Sequence, residues 1–325
     1  MKRFHQSEIG AAVGWVLGSI LMAAVISPWI YQGGARLAAM AAAGDLPAPL
    51  EWLGAACGRA KFGRFFDRSL WLSALVLMPF LFGRLRNIKA RRDGPAGHAL
   101  KRVPLKTGAF QILTGFVIAA ALLWALAAVL GFTGASVANP KAPSLLKLIP
   151  KVLVPAMFVA PLEEWLFRGV LLGLWLRFAR PAAACTGTSF LFALLHFLRP
   201  AAGTVIADPA HPLAGIELLG KIFLHFAEPL FFITDFATLF VVGLILAAAR
   251  VRTGALWFSI GLHGGWIVAY KAFNLLYRDS PDHPLRPWGV GDSLYSGILP
   301  MVTLGITAVV CHFVLRRFEA QRPPV

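Results

Sequence analysis

Charge is scarce in this chain. Asp, Glu, Lys and Arg make up 14% of its 325 residues, where a soluble domain carries about 25%. No block that looks soluble is long enough to form a domain of its own. Cysteine is nearly missing: Cys57, Cys185 and Cys311 are scattered, form no C-x-x-C, and supply neither a disulfide framework nor a thiolate zinc site. No H-E-x-x-H occurs, which removes the usual zincin helix. No internal repeat occurs either, so an inverted-repeat transporter is not suggested.

What the chain has in quantity is hydrocarbon. Hydrophobic residues reach 58% and the mean hydropathy is +0.70. Apolar stretches long enough to cross a bilayer, about 17–25 residues, fall at 9–31, 69–85, 108–132, 150–176, 182–199, 219–249, 255–275 and 296–315. The expected fold is therefore all-α and polytopic, with about eight transmembrane helices. The second stretch is short. The sixth is long, and Pro229 is placed to split it into a half-helix and a full one. The first begins after Lys2-Arg3 as a signal peptide would, but its apolar run is too long and no cleavage site follows directly, so it reads as a retained helix.

A net charge of +16 would suit nucleic acid, but its distribution does not. The cations sit at the ends of apolar segments, as loops beside anionic lipid do. The loop 84–107 holds Arg84, Arg86, Lys89, Arg91, Arg92, Lys101, Arg102 and Lys106. Arg177 and Arg180 follow the fourth span, Arg250 and Arg252 the sixth, Arg316 and Arg317 the eighth. The loop 200–218 has Asp208 and Glu217 but no Lys or Arg. This alternation places both termini in the cytoplasm, although the long loop 32–68 is also basic near its end. Trp29, Trp257 and Trp288 fit interfacial belts.

Against this background the stretch PLEEWLFRG (161–169) stands out. A charge at the centre of a membrane helix costs about 2.5–3.5 kcal/mol on insertion scales. Glu164 and Arg168 are four apart, share a helix face and can pair. Glu163 is turned about 100° away and needs another partner. His196, in TSFLFALLHF, and His263, in TGALWFSIGLHGGWI, are the candidates within spans. Gly261 and Gly265 form a G-x-x-x-G around His263, and Gly243 and Ala247 a small pair on the preceding helix, so close helix approach is expected there. Alone, each of these groups has a structural explanation: a membrane histidine that only packs, a Glu–Arg pair that only holds. His225, Glu228 and Asp235 lie in or beside the sixth span; His225 and Glu228 can pair locally or line a water path. His5, His98, His211 and His283 read as loop or terminal residues, and His312 as interfacial.

Taken in order, E-E-x-x-x-R, F-x-x-x-H and a helix opened by Thr253-Gly254 with a further histidine resemble the CPBP intramembrane proteases. This is the CAAX-protease and bacteriocin-processing (Abi) family, with its Rce1-like enzymes. The matching residues are Glu163, Glu164 and Arg168; Phe192 and His196; and Gly243 through Thr253-Gly254 and Trp257 to His263. The resemblance covers roughly 150–275. It divides the chain into motif-free N-terminal spans and a basic loop (1–145), a catalytic core (146–275), and a loop with a last span (276–325). It implies a polar site between the fourth, fifth and seventh spans.

The resemblance implies an intramembrane endopeptidase. Glu163 would be the general base on water. Glu164, held ionised by Arg168, would orient the site or share the water. His196 would hold the water or protonate the leaving group, and His263 would stabilise the oxyanion. The family pattern often ends H-x-x-x-N, but Ile267 stands at that place and Asn274 lies about 16 Å along the helix. Members have been described both as metal-dependent and as metal-independent glutamate enzymes. No cofactor is the preferred reading; a zinc on Glu163, His196 and His263 is the alternative. The implied partners are a membrane-embedded or lipidated protein substrate and the bilayer, with no nucleic acid. The Ala- and Arg-rich composition suggests a bacterial cytoplasmic membrane and makes a prenylated substrate less expected. Two other functions remain open: a proton-coupled transporter, since carboxylates and histidines also make relays, and a non-catalytic membrane scaffold.

Overall fold

A computed structural model of the chain describes residues 8–89, 100, 102–177, 179–198, 203–229, 232–286, 288–291 and 294–320. His5, Arg91, Arg92, His98 and Lys101 lie outside these residues. The protein is an all-α polytopic membrane protein whose described residues divide into two compact units, Met1–Pro95 with His196–Pro229, and Ala96–Leu195 with Leu230–Val325.

The first unit is built on α1 (Glu8–Ala43), α2 (Ala48–Gly58), α3 (Phe62–Lys89) and α8 (Ala214–His225). α1 packs chiefly on α3. Trp15 Nε1 donates to the Ala74 carbonyl, and Tyr31 meets the edges of Phe62 and Phe65. Pro28 inside α1 has no N–H for the Ala24 carbonyl four residues back. The Ser27 hydroxyl donates to that oxygen at 3.4 Å, and Gly215 of α8 lies so close to it that a Cβ would collide. The expected loop 32–68 is mostly helix. The Ala-rich run 38–43 has high helix propensity, so α1 continues to Ala43 and stops at Gly44, whose φ of 77° suits a helix C-terminus.

The second unit holds α4 (Leu105–Phe132), α5 (Leu145–Glu164), a π-helical turn Trp165–Leu171, α6 (Leu172–Trp175), α7 (Pro181–His196, its last residue falling to the first unit), α9 (Ala237–Thr253), α10 (Trp257–Leu276) and α11 (Ile298–Ala320). Its most extensive packing is α10 on α4. Glycines cause it. A Cβ on Gly261 would strike the Ile112 carbonyl, one on Gly265 the Phe116 carbonyl, and one on Gly115 the Phe258 carbonyl. The G-x-x-x-G around His263 therefore seats α10 on a helix from the motif-free part of the chain. At the far ends of α4 and α10 a short antiparallel ribbon, β1 (Ser136–Ala138) with β2 (Tyr277–Asp279), ties the connections together in the register Val137↔Arg278. At the other end, α9 terminates on Gly254 with φ 74°. Thr253 Oγ1 takes the Ala255 N–H, and α10 starts at once.

Six helical segments among the described residues are long and apolar enough to cross a membrane: Gly10–Ala43, Phe62–Arg84, Leu105–Phe132, Leu145–Trp175, Ile233–Thr253 and Ile298–Phe318. Of the other two expected spans, α7 has only 16 residues. α10 has 20 residues but carries His263, Lys271 and Asn274, which dilute its hydropathy. The expected break in the sixth stretch is present. α8 ends at His225, residues 226–228 leave the helix ahead of Pro229, and a second π-helical turn, Phe232–Phe236, leads into α9.

Candidate active site

Glu163 and Glu164 are the last two residues of α5, a helix interrupted by Pro150, Pro155 and Pro161. The chain then widens into the π-helical turn, where the Leu172 N–H donates to the Phe167 carbonyl five residues back. Such turns recur at functional sites because the extra residue re-aims side chains. Here it carries Arg168. Arg168 Nη1 donates to Glu164 Oε1 at 2.9 Å, the i, i+4 pair expected. Its Nη2 donates to the Gly243 carbonyl of α9 at 3.3 Å, and its guanidinium carbon lies 4.2 Å from the centre of the Phe192 ring. A fork and a flat face are all used, which a lysine could not do.

His263, on α10, sits between the two carboxylates. Its Nδ1 is 2.9 Å from Glu164 Oε1, and its Nε2 is 3.7 Å from Glu163 Oε2. Phe192 of α7 meets the His263 ring edge-on at 5.9 Å and the Phe167 ring at 5.1 Å. Glu163, Glu164, Arg168 and His263 are all buried. An ionised Glu164 can only accept, so Nδ1 of His263 carries the proton, and Nε2 faces Glu163. The separation of 3.7 Å exceeds hydrogen-bonding distance. A single oxygen atom about 2.8 Å from each would bridge the two. The second oxygen of Glu164 is buried with no hydrogen-bond partner among the described residues.

Four of the five expected residues thus meet in one buried cluster. Its centre is Glu164, which takes both Arg168 and His263, where Arg168 alone was the expected partner. The fifth, His196, ends α7 half-buried, four residues past Phe192 and on the same helix face, and belongs to the other compact unit. Asn274 is exposed and Ile267 half-buried. A catalytic zinc needs three protein ligands and an open position. Among the described residues no group of three or more His, Cys, Asp and Glu side chains is arranged to hold a metal ion.

The remaining polar residues have local roles. His225 pairs with Glu228 at 3.0 Å, Asp235 accepts from Thr234 and Ser296, His211 Nδ1 takes the Leu213 N–H, and His283 meets the Thr133 carbonyl. His312 is exposed beside Arg252. The Gly243 carbonyl is the partner that sequence reasoning missed. Every residue has a carbonyl, so no residue type announces this one.

Residues 145–269, from the first residue of α5 to a point six residues past His263, match the model of a protein family described as type II CAAX prenyl endopeptidase, Rce1-like. No curated protein and no solved structure matches the chain. The segment that carries the buried cluster is Rce1-like, and the family implies a peptidase of the membrane.

Proposed function

We propose that this protein is an intramembrane endopeptidase that hydrolyses a peptide bond of a membrane-associated, lipidated or membrane-embedded substrate with water activated by Glu163. One observation carries the reading: within an apolar helical unit, His263 is held between two adjacent buried carboxylates, 2.9 Å from Glu164 and 3.7 Å from Glu163, a separation that one water oxygen would bridge. A purely structural ion pair would need one carboxylate for Arg168, not two carboxylates and an imidazole.

In this mechanism the water bridges Glu163 and Nε2 of His263. Glu163 takes its proton as the hydroxide oxygen bonds to the carbonyl carbon. The carbonyl oxygen gains the electron pair and accepts a hydrogen bond from Nε2–H of His263, in the form of the ring that carries a proton on both nitrogens throughout the step. The C–N bond then breaks, and the proton held by Glu163 passes to the leaving nitrogen. Glu164 does not touch the reacting atoms; it fixes the tautomer and angle of His263, and Arg168 supplies its countercharge. His196, through its match to the family's second motif, is proposed as a further holder of the water or as the acid to the amine. When bound, a zinc ion would supply a more acidic water; the steps above use the carboxylates and imidazole.

The site would face the cytoplasmic leaflet. His263 lies six residues from the start of α10, about 9 Å, and Gly243 ten residues from the end of α9, about 15 Å. Those ends carry Arg250 and Arg252, the cytoplasmic signature. A substrate anchored by lipid on that face could reach the Glu163–His263 pair, which suits a family described as prenyl endopeptidases.

The test is purified protein in liposomes with lipidated peptides of random sequence, products read by mass spectrometry. New termini are expected with wild type and none with Glu163→Gln or His263→Ala. A chelator is expected to leave turnover unchanged; loss restored by zinc would favour the metal-dependent form. Proton flux into vesicles without any peptide product would instead support the carrier.

A further inference from the structure

The Arg168 fork reaches Gly243 only because α9 comes unusually near α7. A Cβ on Gly243 would lie 2.8 Å from Ser189 Cβ and 3.0 Å from its Cα, closer than real side chains pack. Ser189 is buried, and its hydroxyl has no hydrogen-bond partner among the described residues. Its part in the contact is therefore one of shape. One turn further along α7, Phe192 supplies the ring against the Arg168 guanidinium. Two residues of α7, three apart, thus set both limits on Arg168: Ser189 sets how near the Gly243 carbonyl comes, and Phe192 sets the plane of the guanidinium. From Arg168 the contacts continue through Glu164 Oε1 to Nδ1 of His263.

We propose that Gly243 and Ser189 are a positioning pair: the close contact that Gly243, lacking a side chain, makes with Ser189 fixes the Arg168 fork and, through Glu164, the ring of His263. The proposal rests on the hydrolytic reading for its kinetic arm only. Neither residue touches substrate or the reacting atoms. Adding a methyl at Gly243 would push α9 from α7, withdraw the carbonyl from Arg168 Nη2 and let Glu164 and His263 turn.

The experiment uses the full chain with [15N]histidine, His263 being assigned by its loss in His263→Gln. Gly243→Ala is expected to move the His263 Nδ1 resonance toward that of an unbonded ring. It is also expected to lower kcat about 10–100-fold at nearly constant KM, the effect of a misplacement of order 1 Å. Ser189→Gly alone loosens the contact from the α7 side and should shift both in the same sense, by less than Gly243→Ala does. Combined with Gly243→Ala, it should recover part of both, because it removes the Ser189 Cβ and Oγ that the new methyl strikes and leaves only the Cα at 3.0 Å. Ser189→Val crowds the same contact from α7 and should reproduce the loss if Gly243→Ala fails to fold. A Gly243→Ala protein with unchanged kcat and resonance, or a double variant no better than the single, would overturn the pair. If even wild type cleaves nothing, the hydrolytic reading fails, and the resonance shift and its reversal still decide this proposal.

Discussion

Glu163 and Glu164 are neighbours in sequence, and the proposal gives them opposite roles. Glu164 is tied on one oxygen by Arg168 and His263. Removing Arg168 leaves that carboxylate buried beside Glu163 without its main countercharge, so Arg168→Met should destabilise the protein by about 3–5 kcal/mol, read as a lowered midpoint of thermal unfolding in detergent. Glu164→Gln combined with Arg168→Met removes both charges and should recover part of that loss, although not activity. Glu163 is the catalytic carboxylate of the proposal. Glu163→Gln should unfold close to the wild-type temperature yet lose about 10²–10⁴ in turnover; full turnover in that variant would end the assignment. The spacing of Glu164 and Arg168 made their pairing legible in advance, because i and i+4 adjoin on any helix. The claim of His263 on Glu164 was not legible, since it joins residues 99 apart.

At the scale of the helix, glycine decides which elements touch. Gly261 lets α10 approach the Ile112 carbonyl of α4. Gly261→Ala should therefore cost about 1–3 kcal/mol through overpacking, measurable as a lower unfolding temperature even though no site residue is changed. Gly254 acts differently, through backbone freedom. It closes α9 with φ 74°, where a side chain costs about 1–2 kcal/mol, and Gly254→Ala should show a loss of that order. The T-G turn before α10 and the G-x-x-x-G within it could both be read from sequence as signs of a sharp stop and a close approach. The partner of that approach could not. α4 has no motif of its own, and its Gly115 is one glycine among 31. The extra residue of the π-helical turn 165–171 is equally silent, because nothing in WLFRG distinguishes i+5 from i+4 hydrogen bonding.

For the whole molecule, the basic ends of α6, α9 and α11 and the start of α10 should all be cytoplasmic, and the β1–β2 ribbon on the opposite face. In a chain freed of Cys57, Cys185 and Cys311, a cysteine placed at Arg177 should be protected from an impermeant thiol reagent in intact cells, and one at Asp282 should react. The reverse pattern would invert the topology and move the site to the other leaflet. The compact units also cut across the order of the chain. α8 packs with α1, where Gly215 covers the Ala24 carbonyl freed by Pro28. Deleting residues 1–95 should therefore uncover α8 and lower the yield of folded protein, although the deleted part carries no recognisable motif.

Helical class, membrane residence and the presence of Glu, Arg and His groups in need of partners within apolar runs followed from composition and short-range periodicity, and their grouping as one candidate site from the resemblance to the CPBP proteases. Those properties are local: a run of apolar residues must find hydrocarbon, and charges within it must find partners nearby. Which histidine nitrogen meets which carboxylate, which carbonyl completes the Arg168 fork, and which helix α10 lies against were decided only when the helices packed. These contacts depend on helix separations of a few ångströms and on backbone oxygens, and no residue letter records either one.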